Sequence, residues 1–228
     1  GKNDRGLSRK HIMESVNASL KRLNTDHIDL YQMHRFDYET PLEESLRAFD
    51  DLIRQGKVNY IGFSEWTAAQ IGDAIKIQKA NGFDRFVSSQ PQYSMLWRVI
   101  EAKVLPLCVS EGIGQIVWSP VAQGVLTGKY RNGIPADSRA ATPHFAPFIE
   151  PYLNDRSRRI VEAVSVAAQG LGYSPLEVAL AWVRDFPGVT SSVVGARTAA
   201  QLQGILASEE IELPEVVRNA LNEVSATL

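Results

Sequence analysis

An apolar run that ends in histidine, Asp29-Leu30-Tyr31-Gln32-Met33-His34, is the first place in this sequence where chemistry is expected. Parallel α/β proteins hold ligands beyond the C-terminal ends of their strands, so the residues that close a strand are the ones to examine. An imidazole there can donate a hydrogen bond to a carbonyl oxygen and polarise it for attack. Later apolar runs close in the same manner. Ser64, followed by Glu65, and Gln90 offer donor and acceptor groups, Trp118 offers a large flat face followed by Ser119, and Gly195-Ala196-Arg197-Thr198 leads into a helix start whose dipole and free N–H groups favour an anion. After Ser119, the run from Val121 to Gly124 can turn tightly and present backbone N–H groups, and Lys129 can add charge. Taken singly, each has a plain structural alternative: a loop-mouth histidine, a turn serine, a core tryptophan, a helix start with a solvated arginine. His11, His27 and His144 fall on a helix face, a strand start and a long loop, and are given no chemistry.

The elements that must position these residues follow from periodicity. Ser8 is an N-cap, with Ile12, Val16, Leu20 and Leu23 as one helical face. A strand from His27 to His34 follows, then Thr40-Pro41-Leu42-Glu43 as N-cap, N1 proline and capping-box glutamate of a helix stopped by Gly56. Further strands are expected at 59–64, 86–92, 115–119 and 189–195. Between them lie a capping box at Thr67/Gln70, a helix from about Arg98 to Gly112 with a kink or restart at Pro106, and a capping box at Ser174/Glu177. Thr198/Gln201 caps one more helix, and Pro214 to about Val224 is a terminal one. The stretch 128–154 has no sustained period and is expected to be a long loop. Strands separated by helices imply right-handed βαβ units and a parallel sheet. About five strands are present in the pattern, whereas a closed barrel needs eight and typically ~250 residues.

Composition narrows the function classes. The 228 residues are 44% hydrophobic and 22% charged with a net charge of −2, enough for one compact domain and without the field that would hold nucleic acid or an anionic membrane. The lone cysteine, Cys108, builds neither a disulfide framework nor a thiolate metal site and fits a reducing cytoplasm. No apolar run reaches the ~18 residues of a membrane span. The first residues, with no initiator Met, read as the tail of a loop entering a helix, so the chain is expected to begin inside a larger protein.

The strand-end residues, taken in order, resemble the aldo-keto reductase family. The landmarks are the strand ending at His34, Gly-Phe-Ser (62–64), Ser-Gln-Pro-Gln-Tyr (89–93), Trp-Ser-Pro (118–120), Gln-Gly-Val-Leu-Thr-Gly-Lys-Tyr (123–130) and Val-Gly-Ala-Arg (194–197). They look closest to the branch that includes potassium-channel β subunits and bacterial NADP-dependent oxidoreductases. The resemblance implies an α/β fold of the (β/α)8 TIM-barrel type, here incomplete, with about five βα units plus C-terminal helices in one domain over 1–228. It implies an oxidoreductase that reduces aldehydes or ketones with NADPH. His34 would orient the small-molecule carbonyl substrate, Ser64 and Gln90 would bind the nicotinamide carboxamide, and Trp118 would stack on the ring. Ser119, Val121, Gly124 and Lys129 would contact the pyrophosphate, and Gly195, Arg197 and Gln201 the adenosine 2′-phosphate, with 128–154 as a long loop near the cofactor. The family often has Asn where Glu65 stands, and Glu-Asn where Gly204-Ile205 stands, so the adenine is expected to be held weakly or by packing. Its proton donor is a tyrosine on early strands, a position that Tyr31, Tyr38, Tyr60 and Tyr93 do not occupy, so the chain alone is expected to be inactive. Were this the whole polypeptide, the exposed strand edges and apolar faces of an incomplete barrel would imply dimerisation, swapping or poor solubility. Two other classes stay open: a cofactor-sensing or scaffolding module of the channel-subunit type, and a barrel isomerase holding a sugar phosphate at 195–198.

Overall fold

A computed structural model describes Gly1 and residues 3–226. Five strands alternate with helices in the order β1-β2-β3-β4-β5: β1 Ile28–Met33, β2 Val58–Phe63, β3 Phe86–Ser89, β4 Gly114–Trp118 and β5 Val189–Val193. β1 pairs with β2, β2 with β3 and β3 with β4, each in parallel, so the C-terminal ends of these neighbouring strands lie side by side. Packing divides the chain into two compact units, Gly1–Pro91 with Lys103–Gln115, and Gln92–Ala102 with Ile116–Leu228.

The first unit contains α1 Arg9–Leu23, α2 Leu42–Arg54, α3 Ala68–Asn81 and α4 Val104–Ser110. Ile12 and Val16 from α1, Leu46, Phe49 and Leu52 from α2, and Ile71 from α3 bury against Met33, Ile61 and Phe63 of the sheet. Helices α1 and α3 are capped at both ends. The Ser8 hydroxyl accepts from the His11 N–H, Thr67 and Gln70 complete a reciprocal capping box, and Asn24 and Gly82 end α1 and α3 in left-handed conformations. Pro106 sits inside the first turn of α4, after a separate short turn at Val99–Ala102, so the proline marks a restart and the expected single helix from Arg98 is two pieces.

The expected cap at Thr40 does not form. The N-cap of α2 is Pro41, and the Thr40 hydroxyl instead donates to Asp37 Oδ2 at 2.8 Å. Asp37 also accepts from the N–H groups of Leu7 at 2.7 Å and Glu39 at 2.9 Å, which ties the loop after β1 to the chain just before α1. Burial pushes this carboxyl up, but those hydrogen bonds outweigh it and hold Asp37 below the usual carboxylate range.

The second unit is helical around the end of β4 and β5, with α5 Ala146–Ile149, α6 Asp155–Leu171, α7 Pro175–Arg184, α8 Ala199–Ala207 and α9 Glu215–Ser225. Its centre is Trp182, 1% exposed, which stacks on Tyr93 with ring centroids 5.6 Å apart and donates to Asn222 Oδ1 at 2.9 Å. Arg98 lies over the same tryptophan, grips Glu101 with two hydrogen bonds of 2.7 and 2.9 Å, and donates to the Asn222 carbonyl of α9. The stretch 128–154 is not wholly irregular: it folds into α5 and short turns at Arg139–Ala141 and Glu150–Tyr152, with Ile149 and Tyr152 buried. Among the described residues no helix is long and apolar enough to cross a membrane.

Because its folded-state pKa is depressed, Asp37 contributes stability that is full above the ordinary aspartate value of about 4 and is lost as pH falls through the lower folded value. Asp37→Asn is expected to cost roughly 1–2 kcal/mol near neutrality and to flatten the acid limb of a urea-melt stability profile. An unchanged acid limb would sink this account.

Candidate functional site

Parallel pairing delivers His34, Ser64 and Gln90 in the first unit. The β1/β2 register sets Met33 opposite Phe63, so the next residues, His34 and Ser64, lie at neighbouring strand ends. The ladder continues past the strands: the Ser64 N–H donates to the Met33 carbonyl at 2.9 Å and the Gln90 N–H to the Phe63 carbonyl at 2.7 Å. Ser64 is buried, and its hydroxyl donates to the Gln90 carbonyl at 2.7 Å, which leaves its oxygen as an acceptor for anything further. His34 is exposed. Glu65 has a left-handed φ of 61° and its carboxylate lies 3.9 Å from the Arg35 guanidinium.

Beneath these ends runs a polar layer. The Ser88 hydroxyl donates to Gln32 Oε1 at 3.1 Å directly beside Gly62. A Cβ at position 62 would lie 2.7 Å from the Ser88 carbonyl and 2.8 Å from Gln32 Oε1, so only glycine fits this strand position. Cys108 packs nearby without exposure, and burial pushes its thiol up, against hydrogen bonds from Gln115 and Ser89.

In the second unit one cavity of about 520 Å³ is lined by Trp118, Ser119, Val121, Gly124, Lys129, Gly195, Arg197 and Gln201 together. Sequence reasoning singled out all eight, although Trp118 and Arg197 are far apart along the chain. Leu176 and Leu180 of α7 and Ile205 of α8 form an apolar wall, and Arg139 adds a third cation to Lys129 and Arg197. No carboxylate lines the cavity among the described residues. Arg139 and the α7 leucines escaped the sequence reading, since Arg139 lies in the aperiodic stretch and the leucines look like ordinary helix core, whereas Ile205 was singled out there.

The segment after Trp118 holds the backbone in a rare conformation. Ser119, Ala122 and Gln123 have left-handed φ of 57°, 48° and 58°, each unfavourable for a residue with a Cβ. The turn is as tight as expected, but three of its N–H groups are taken up within it. Those of Ala122 and Gly124 donate to the carbonyls of Ser119 and Val121, and that of Gln123 to the Ser119 hydroxyl at 3.1 Å. Most of the turn's own donors are thus spent, and side chains supply the positive charge around this cavity.

The start of α8 also differs in detail from its expected capping box. Thr198 accepts from the Gln201 N–H, but Gln201 Oε1 accepts from the Arg197 N–H at 2.8 Å instead of from Thr198. The Arg197 guanidinium reaches the Asp137 carbonyl at 3.4 Å, and Arg139 donates to Gln123 Oε1 at 2.9 Å.

A model of the aldo/keto reductase family matches residues 1–226. The chain belongs to this family. As an aldo/keto reductase family member it is 42% identical over 205 residues to a probable voltage-gated potassium channel subunit beta of Arabidopsis thaliana, covering 89% of this chain and 62% of that protein. A protein of the same description from rice is 42% identical over 224 residues, 95% of this chain and 68% of its own. The uncharacterized oxidoreductase YrpG of Bacillus subtilis is 38% identical over 225 residues, 98% of this chain and 67% of its own. The chain thus spans about two thirds of the length of these relatives, and its five-stranded α/β sheet matches part of the family's (β/α)8 barrel.

Gly124 has a φ of 92°, and a Cβ there would lie 2.8 Å from Lys129 Nζ. Gly124→Ala is expected to lower unfolding stability by about 1–2 kcal/mol through the left-handed backbone alone. Ala122→Gly, which relieves the same strain, is expected to be neutral or stabilising by up to about 1 kcal/mol. Denaturant melts of both variants check the pair, and equal destabilisation by the two would contradict it.

Proposed function

We propose that this chain supplies the dinucleotide-binding part of an NADP(H)-dependent oxidoreductase that reduces aldehydes or ketones. One observation carries the reading: a single cavity lined by Trp118 and by Lys129, Arg139 and Arg197, with no carboxylate. A dinucleotide phosphate joins flat rings to a polyanion, and this donor set has the matching parts. Trp118 stacks on the nicotinamide, Lys129 and Arg139 meet the pyrophosphate, and Arg197 with Gln201 at the start of α8 meets the 2′-phosphate. Ser119, Val121, Gly124 and Gly195 shape the walls by turning the backbone tightly. Leu176, Leu180 and Ile205 hold the adenine by packing, in place of the polar pair common in the family.

For the first unit, taken by itself, Ser64 as an acceptor and Gln90 offer hydrogen-bonding groups of the kind a nicotinamide carboxamide takes. His34 donates to the carbonyl oxygen of the small-molecule substrate and orients it. When bound, the cofactor supplies the hydride. Tyr93 does not take the family's proton-donor role: it has no exposure, its hydroxyl donates to Glu101 at 2.7 Å, and burial with that carboxylate pushes its pKa far up. The reading treats the chain as one aldo-keto reductase-type domain, with the 128–154 stretch at the cofactor through Lys129 and Arg139. Its setting is a reducing cytoplasm, with neither nucleic acid nor membrane as partner.

A second reading is favoured by the names of the plant relatives: a cofactor-sensing or scaffolding module of the channel-subunit type, which binds NADPH without turnover. Aldehyde-dependent NADPH oxidation by the full-length protein supports the reductase, and tight NADPH binding without it supports the sensor.

Fluorescence titration of the chain is expected to show saturable quenching that is tighter for NADPH than for NADH and is lost in Trp118→Leu. Arg197→Ala is expected to weaken NADPH about tenfold and to leave NADH within about twofold. Quenching by neither nucleotide would overturn the proposal, and equal losses for both would remove Arg197 from the 2′-phosphate.

A further inference from the structure

A second cavity lies in the same unit and shares no residue with the first. Its volume is about 540 Å³, in the range that small-molecule sites occupy. Val125, Leu153 and Val161 give it an apolar lining, and Tyr130, Arg131 and Arg158 bring polar side chains to it. The Tyr130 hydroxyl is buried and, among the described residues, has no hydrogen-bond partner, an arrangement that folded proteins rarely tolerate without a purpose. Arg131 is paired with Glu162. Arg158 has only an exposed contact of 3.3 Å with Asp155 and keeps 76% of its side chain in solvent, so its charge is available.

Donors facing an apolar lining with one net positive charge suit an acceptor-bearing head on an apolar body. We propose that this cavity is a binding site for a medium-chain carboxylate. The alkyl chain packs on Val125, Leu153 and Val161, and the carboxylate meets Arg158 and, as the Tyr130 ring turns, the hydroxyl that is shielded without ligand.

The same backbone serves both cavities. Gly124, Thr127 and Lys129 line the first, while Val125, Tyr130 and Arg131 line the second. Lys129 Nζ lies 5.1 Å from the centroid of the Tyr130 ring, so the lysine is held by the residue whose hydroxyl the carboxylate engages. An anion on Tyr130 draws on the field of Lys129 and weakens an anion bound in the first cavity, and linkage makes the effect mutual. This coupling rests on the dinucleotide reading above, whereas carboxylate binding itself does not.

The test is calorimetric titration of the whole chain with octanoate, without nucleotide, followed by NADPH titration with and without saturating octanoate. Octanoate is expected to bind at submillimolar concentration, and octan-1-ol at least about tenfold more weakly. Tyr130→Phe, which keeps the ring, and Arg158→Ala, at an exposed position, are each expected to weaken octanoate about fivefold or more, with unchanged thermal melts. Octanoate is expected to weaken NADPH about threefold. No octanoate binding, or binding that both variants leave unchanged, overturns the site. Octanoate binding with an unaltered NADPH affinity overturns the coupling alone. Octanoate binding in a chain that binds no NADPH supports the site and removes the dinucleotide reading.

Discussion

Parallel register is the constraint on which the rest depends. A parallel ladder places equivalent strand ends side by side, and its hydrogen bonds run on for a residue beyond the strands, from Ser64 to Met33 and from Gln90 to Phe63. Those bonds occupy the backbone of the closing residues and fix where their side chains begin. The pairing requires that nothing crowd it from within, and Gly62 meets that requirement because a Cβ would press on Ser88 and Gln32. A substitution there would disturb the register that carries Ser64, two residues on.

The chain leaves two strand ends through conformations that side chains rarely adopt. Glu65 follows Ser64 with a positive φ, and Ser119 follows Trp118 with another, continued by Ala122 and Gln123. Such residues each cost on the order of 1 kcal/mol or more, and they persist where surrounding structure over-determines them. After Trp118 that structure is visible: the Ser119 hydroxyl and carbonyl and the Val121 carbonyl take the turn's own N–H groups. The turn is thus a rigid wall that spends the N–H groups of Ala122, Gln123 and Gly124 on itself, and the positive character of its cavity comes from the long side chains of Lys129, Arg139 and Arg197. Flexible cations on a rigid wall give charge without strain, since the side chains can adjust while the backbone cannot.

Local rules were legible to the extent that their partners were local. The capping boxes Thr67/Gln70 and Ser174/Glu177 form as the sequence dictates, because donor and acceptor sit three residues apart and little competes for them. The Thr40 cap fails because Asp37, already drawn to Leu7 thirty residues away in sequence, captures the hydroxyl. Gln201 turns to the Arg197 N–H rather than to that of Thr198, so here the competing donor is local, one residue further back. The break before α4 was legible from Pro106, whereas the short helix and turns inside 128–154 were not, since their stability comes from burying Ile149 and Tyr152 and not from any period.

By itself the sequence determined the alternation of strand and helix, the residue that closes each strand, and the family, because apolar periodicity and ordered short motifs are properties of the chain alone. Tertiary structure decided which of those residues meet. It gathered eight of them from the stretch 118–129 and the segment 195–201 around one cavity, added Arg139 from a stretch without pattern, and built the apolar wall from helix positions that look like any core. It also spent the N–H groups of Ala122, Gln123 and Gly124 within the turn and, among the described residues, left the Tyr130 hydroxyl buried without a hydrogen-bond partner. The physical reason is the range of the interactions. Periodicity records which face of an element is apolar, while the groups that share a cavity are chosen by long-range packing and by competition among hydrogen-bond partners distant in sequence.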